Sequence, residues 1–193
     1  MSIPGFTQWS SPPGDYEVTF EQLRESVLVR GTREVTLDGP WRMYLIDQAE
    51  RMVRQLWDVG IEQIFLDGSF VEAKVHPNDI DGYFHVDLKY YASGQLQDDL
   101  NALDPHKIWT WDQASRRRYR NYAKAQLPMW HRYRVELYPH FPGLIALRDQ
   151  NGNALQFPAA FRVRRDTNEA KGIVRIVRAS KADRDPDKED QKP

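Results

Sequence analysis

The chain contains no cysteine, which excludes disulfides, thiolate zinc sites and a cysteine nucleophile, and fits a reducing cytoplasm. No run approaches the roughly 18 apolar residues needed to cross a bilayer, and the first residues lack the apolar centre of a signal peptide. A charge excess is missing too. Lys plus Arg number 27 against 28 Asp plus Glu, a formal charge of -1, so a wholly basic protein that coats nucleic acid is excluded while a local basic patch is not. Neither a P-loop nor G-x-G-x-x-G occurs, which removes the commonest routes to kinases and dehydrogenases. The five histidines, His76, His85, His106, His131 and His140, show no metal-ligand spacing, and Ser10 and Ser11 sit in no nucleophile elbow. What is present is a 193-residue chain with 40% hydrophobic and 12% aromatic residues, enough for one domain with a sizeable core. A cytoplasmic, non-membrane protein is the expectation.

Residues 1–18 read as an extended arm, because residues 1–15 hold three of the twelve prolines, with Phe6 and Trp9 available to pin it to the body. A short helix is expected from Thr19, where Thr19 and Gln22 match a capping box. Residues 41–59 place Leu45, Ala49, Met52, Val53, Leu56 and Trp57 at helical spacing, with Pro40 before them and Gly60 as the stop. Strands are expected at 61–66, 80–86, 133–138 and 172–177, helices at 95–103 and 112–127, and a tight turn at Asn151-Gly152-Asn153. One domain over residues 19–179 follows. Nine of the fourteen residues in 180–193 are charged, and that tail is expected to be disordered.

The segment from Phe65 to Asp81 carries the chemistry. A strand ends at Gly68-Ser69, nine residues intervene, and Asp79-Ile80-Asp81 opens a second strand. Residues two apart on a strand share a face, so Asp79 and Asp81 project together while Ile80 points to the core. Two such carboxylates repel each other unless neutralised, and a divalent cation that shares its ligands with substrate phosphates does this. Gly68 permits close backbone approach to a ligand, and backbone N–H groups with the Ser69 hydroxyl suit phosphate oxygens. Glu136, within the strand pattern Arg134-Val135-Glu136-Leu137, completes a three-carboxylate cluster if its strand lies beside that of Asp79. It equally suits an edge position paired with Arg132 or Arg134, and Asp87 is its rival. Lys74, between the two halves of the motif, is placed to reach phosphate.

Gly68-Ser69, the gap, Asp79-Ile80-Asp81 and Glu136 together resemble the signature of nucleotidyltransferases with the polymerase β type of fold, closest to the small bacterial "minimal" members. The resemblance covers roughly residues 41–138. It implies an α/β (α+β) fold, a short mixed β-sheet flanked by helices. It also implies transfer of a nucleoside monophosphate from an NTP, ATP first, to a hydroxyl on a protein, RNA or small molecule. Asp79, Asp81 and Glu136 would then be catalytic and hold Mg2+ or Mn2+, with Gly68, Ser69 and Lys74 binding the nucleotide. Several such proteins act in toxin–antitoxin pairs, so a toxin or antitoxin partner is implied. The alternative is a catalytically inactive module of that fold, binding a partner protein, as an antitoxin does, or RNA. A further feature stands beside the motif. Residues 113–135 contain seven basic residues, Arg116, Arg117, Arg118, Arg120, Lys124, Arg132 and Arg134, and no acidic one, interleaved with Tyr119, Tyr122, Trp130 and Tyr133. That pattern suits a triphosphate, RNA or an acidic partner, or else a solvated face.

Overall fold

A computed structural model describes residues 3–6, 10–143, 147–148, 154–155, 162–164 and 167–179. The fold is mixed α and β. Strands β1 (Asp15–Val18), β2 (Ile64–Asp67), β3 (Ile80–His85), β4 (Val135–His140) and β7 (Ile173–Ile176) form a five-stranded sheet in the order β1-β7-β2-β3-β4. β1 runs parallel to β7 and β3 parallel to β4, while β2 is antiparallel to both β3 and β7. A separate two-stranded pair joins β5 (Leu147–Arg148) to β6 (Ala154–Leu155). The turn expected at Asn151-Gly152-Asn153, the tail 180–193 and Trp9 lie outside the described residues.

The helices form where the sequence stops and starts them. Thr19 and Gln22 close a capping box on α1 (Phe20–Arg24), and Ser26 caps α2 (Val27–Arg30), so the single helix expected there is broken in two. Asp38 accepts from the Trp41 N–H at 3.1 Å to open α3 (Gly39–Asp58), with Pro40 in its first turn. Twenty residues make α3 about 30 Å long, and Leu45, Ile46, Ala49, Met52, Val53 and Leu56 are fully buried along it. Further on come α4 (Leu88–Ala92) and α5 (Gln95–Leu103).

The helix expected at 112–127 does not form. Only a short 3-10 turn, Gln113–Ser115, is present, and the true helix, α6 (Pro128–Tyr133), begins at the proline expected to end one. The physical reason lies in the side chains. Residues 112–126 have no stripe of large aliphatic residues to bury, and Pro128 lacks only an N–H that a first helical turn leaves unused. Asp15–Val18, read as part of the arm, instead supplies the edge strand β1.

One face of the sheet carries Ile64, Leu66, Ile80, Phe84, Val135, Leu137, Val174 and Ile176, which join the helices in one core; Ile3 is buried in it and Phe6 packs on it. The other face carries a small cluster of Phe65, Tyr83 and Ile173 with Tyr138 packed on it. Gly82 lets the central strands approach, since a Cβ there would sit 2.3 Å from the Phe65 carbonyl and 2.8 Å from Leu137. No helix among the described residues is long and apolar enough to cross a membrane.

Candidate active site

Strand register aligns three carboxylates at one end of the second face. Asp67 on β2 lies opposite Asp81 on β3, which lies opposite Glu136 on β4. Asp79 precedes β3. A cleft of about 1110 Å³ opens over them, lined also by Gly68, Ser69, Glu72, Lys74, Arg116, Lys124 and Lys171. The motif residues expected to act together are therefore brought together, and Lys74 is on the wall, exposed.

Gly68 turns the chain out of β2 with φ +76°, and a Cβ on it would lie 2.6 Å from the Asp81 Oδ2. Both facts demand glycine. Its N–H interacts with the Asp67 carboxylate, itself on the cleft wall. The Ser69 hydroxyl lines the cleft with no hydrogen-bond partner among the described residues. Asp79 is half-buried and its Oδ2 accepts from the Trp130 indole N–H at 2.6 Å.

Glu136 is held differently. It is 4% exposed; its Oε1 accepts from the Leu127 N–H at 2.9 Å and faces Arg116 at 3.5 Å, and its Oε2 accepts from the Tyr138 hydroxyl. Arg116 also reaches the Tyr138 hydroxyl at 3.0 Å. Burial and the neighbouring Glu136 carboxylate push the Tyr138 phenol up, which keeps it a donor. The cation beside Glu136 is thus Arg116, not Arg132 or Arg134. Its rival Asp87 stands at the other end of β3, exposed, and caps α4 by accepting from the Lys89 and Tyr90 N–H groups.

Three residues of the site escaped sequence reasoning. Asp67 is 2% exposed and faces Lys171 at 3.3 Å; burial pushes its pKa up to about 7, against the pull of that ammonium and of the Gly68 N–H. Strand period holds the signal, since Asp67 must share a face with Phe65. Lys171 is itself buried and donates to the Gly68 carbonyl at 3.0 Å and to Glu72 at 2.8 Å. No motif marks it. Arg42, fully buried on α3, donates to the carbonyls of Leu28, Phe70, Glu72 and Lys74 at 2.6 to 2.9 Å, and burial pushes its pKa down to about 10. The Asp38 N–H takes the Val75 carbonyl at 3.0 Å and the Trp41 indole takes that of Pro77 at 2.5 Å. The first turns of α3 therefore hold the whole loop between Ser69 and Asp79. His76 stacks on Trp41 and pairs with Asp38 away from the carboxylates.

A divalent cation fits part of this donor set. Asp79 and Asp81 offer hard oxygen ligands at the cleft, beside a glycine whose missing Cβ leaves room at Asp81. Glu136 stands beside Asp81 in the strand register, and its oxygens also accept from Leu127, Tyr138 and Arg116. Among the described residues no three His, Cys, Asp or Glu side chains converge on a metal position.

The chain belongs to a family of unknown function, DUF6932, whose model matches residues 4–177. No curated protein and no solved structure matches it.

Proposed function

We propose that this chain is a nucleotidyltransferase that moves a nucleoside monophosphate from an NTP, ATP first, to a hydroxyl acceptor. The observation that carries this reading is the placement of Gly68-Ser69 directly against Asp81, with Asp79 two residues earlier, at the floor of one cleft. The Ser69 hydroxyl and the ammonium groups of Lys74 and Lys124 take triphosphate oxygens from the cleft walls. Asp79 and Asp81 would hold Mg2+ or Mn2+, which when bound lowers the pKa of the attacking hydroxyl and stabilises the departing pyrophosphate. The Trp130 indole fixes the orientation of Asp79, and Lys171 holds the Gly68 carbonyl by a hydrogen bond. The acceptor oxygen forms a bond to the α-phosphorus as the bond from that phosphorus to the β-bridging oxygen breaks. Pyrophosphate leaves, and the hydroxyl proton passes through the Asp81 carboxylate to water. Arg116, paired with Glu136, sets a positive charge on the cleft wall.

Calorimetric titration of ATP, CTP, GTP and UTP, with and without Mg2+, tests the reading. Binding should require both Mg2+ and the aspartates and should vanish in Asp79→Asn/Asp81→Asn with the melting temperature kept. Full binding in that variant sinks it. A second reading is favoured by the sequestered Glu136: an inactive module of the same fold that binds nucleotide or a partner, such as a toxin, without transfer. Nucleotide binding with no turnover on any acceptor supports it.

A further inference from the structure

Residues 117–126 form a closed loop whose ends are bolted together. The Arg117 N–H donates to the Gln126 carbonyl at 2.9 Å and the Gln126 N–H returns to the Arg117 carbonyl at 2.8 Å. Inside it the Tyr122 N–H meets the Tyr119 carbonyl at 3.0 Å, and Arg120 takes the left-handed conformation, φ +46°. Edges of the Tyr119 and Tyr122 rings pack on buried Trp130, each with centroids 5.2 Å away. The Arg134 guanidinium covers Tyr119 at 4.3 Å and Trp130 at 3.9 Å. Trp130 in turn holds Asp79. The loop is thus fixed to the candidate site by its base, and it presents its tip to solvent.

The tip is one-signed. Arg117, Arg118, Arg120 and Lys124 are exposed, and among the described residues no carboxylate pairs with any of them. Lys124 and Arg116 line the cleft, but Arg117, Arg118 and Arg120 do not. The positive charge therefore continues from the residues that line the cleft onto residues outside its lining. Half-buried Tyr119 and Tyr122 alternate with these cations; the Arg134 and Arg120 guanidinium groups lie over Tyr119 at 4.3 and 5.2 Å, giving mixed cation and π surface, and the Tyr122 ring borders the cleft. An acidic peptide would use the charges and leave the rings idle. A single-stranded nucleic acid uses both, phosphates on the guanidinium groups and bases on the rings, and it ends in the hydroxyl that transfer requires.

We propose that the loop 117–126 is a docking surface for single-stranded nucleic acid, and that this strand is the acceptor. The second half rests on the nucleotidyltransferase reading; the first does not. Fluorescence anisotropy with the full chain and short labelled strands of RNA, DNA and duplex RNA, and with a poly-glutamate peptide, tests the surface across a salt series. Single strands should bind best. In Arg117→Gln/Arg118→Gln/Arg120→Gln, whose exposed side chains pair with no carboxylate among the described residues, binding should fall about tenfold or more, and the slope of log K against log salt should be shallower by about 2. Mg2+–NTP calorimetry on the same variant should match wild type. Preference of RNA over DNA identifies the strand chemistry, and either supports the surface. Equal binding by poly-glutamate, no strand binding, or wild-type affinity and slope in the triple variant overturns it. Incubation with α-labelled NTP should then move label onto the bound strand. Strand binding with NTP binding but no label on the strand overturns the acceptor role alone, whereas absent NTP binding overturns the nucleotidyltransferase reading and leaves the surface standing.

Discussion

The second face of the sheet has two ends built on the same strands with opposite chemistry. At one, Asp67, Asp81 and Glu136 form a cross-strand row over a polar cleft. At the other, His85 and His140 face each other on β3 and β4 with ring centroids 5.0 Å apart, and Phe65, Tyr83 and Tyr138 separate the two. The acid end is dense with cations, Lys171 on Asp67 and Arg116 on Glu136. The histidine end holds aromatic rings and neutral imidazoles, since burial, and for His85 also its neighbours His140 and Arg175, push both pKa values down. Strand register alone can thus set ligand chemistry at one end of a face and apolar packing at the other. The aromatic row keeps the two electrostatic environments apart.

The largest way to break the comparison is through the support behind the acid end. Arg42→Met leaves four carbonyls, two of them buried, without their donor, and should lower unfolding free energy by about 3 kcal/mol, read by denaturant melts. Amide exchange should rise first in residues 70–77 and leave β3 near His85 protected. Next in size, Gly68→Ala should weaken Mg2+–NTP binding at least tenfold, because a Cβ there meets Asp81 in a backbone conformation L side chains resist. The matched change at the far end, His85→Gln/His140→Gln, should leave NTP affinity at the wild-type value. Loss of binding there would mean the two ends are one site.

The smallest effects are the pH slopes, measured by melts in metal-free buffer, and their signs oppose. Asp67 has its folded pKa raised by burial, from 3.8 to about 7, with Lys171 and Glu72 as its charged neighbours. The folded state therefore holds the proton more tightly, so this residue's contribution falls as pH climbs from about 4 to about 7. Asp67→Asn should remove that slope. His85 and His140 have folded pKa values below 6.5, so the unfolded state takes the proton first and stability falls as pH drops below about 6.5. His140→Gln should flatten that second slope and leave the first.

Much of this arrangement was legible from local pattern. The strand entering Gly68-Ser69, the alternation of Asp79-Ile80-Asp81 and the 41–59 helix rest on periods of two and 3.6, which neighbours in sequence express. What surrounds Glu136 was not, because its donors come from residues 116, 127 and 138, joined only by the fold. Arg42 was equally hidden: on a helical wheel it is one more charged residue, and its burial follows from carbonyls elsewhere that need a donor. The 112–127 helix failed for another reason, a polar run accepted as helix for want of breakers rather than for an apolar stripe. β1 was missed because four residues beside two prolines carry too little pattern, and its pairing to β7 spans nearly the whole chain.

Arg42 also acts as a ruler. The carbonyls it takes from the motif loop belong to residues 70, 72 and 74, where the chain leaves the 3-10 turn Gly68–Val71 and passes through an extended Glu72. An insertion of any length within that stretch carries at least one of these carbonyls out of reach of the single guanidinium. Relatives of this chain should therefore keep the length from residue 70 to residue 74 constant, and confine changes of spacing between Gly-Ser and Asp-x-Asp to the residues beyond Lys74.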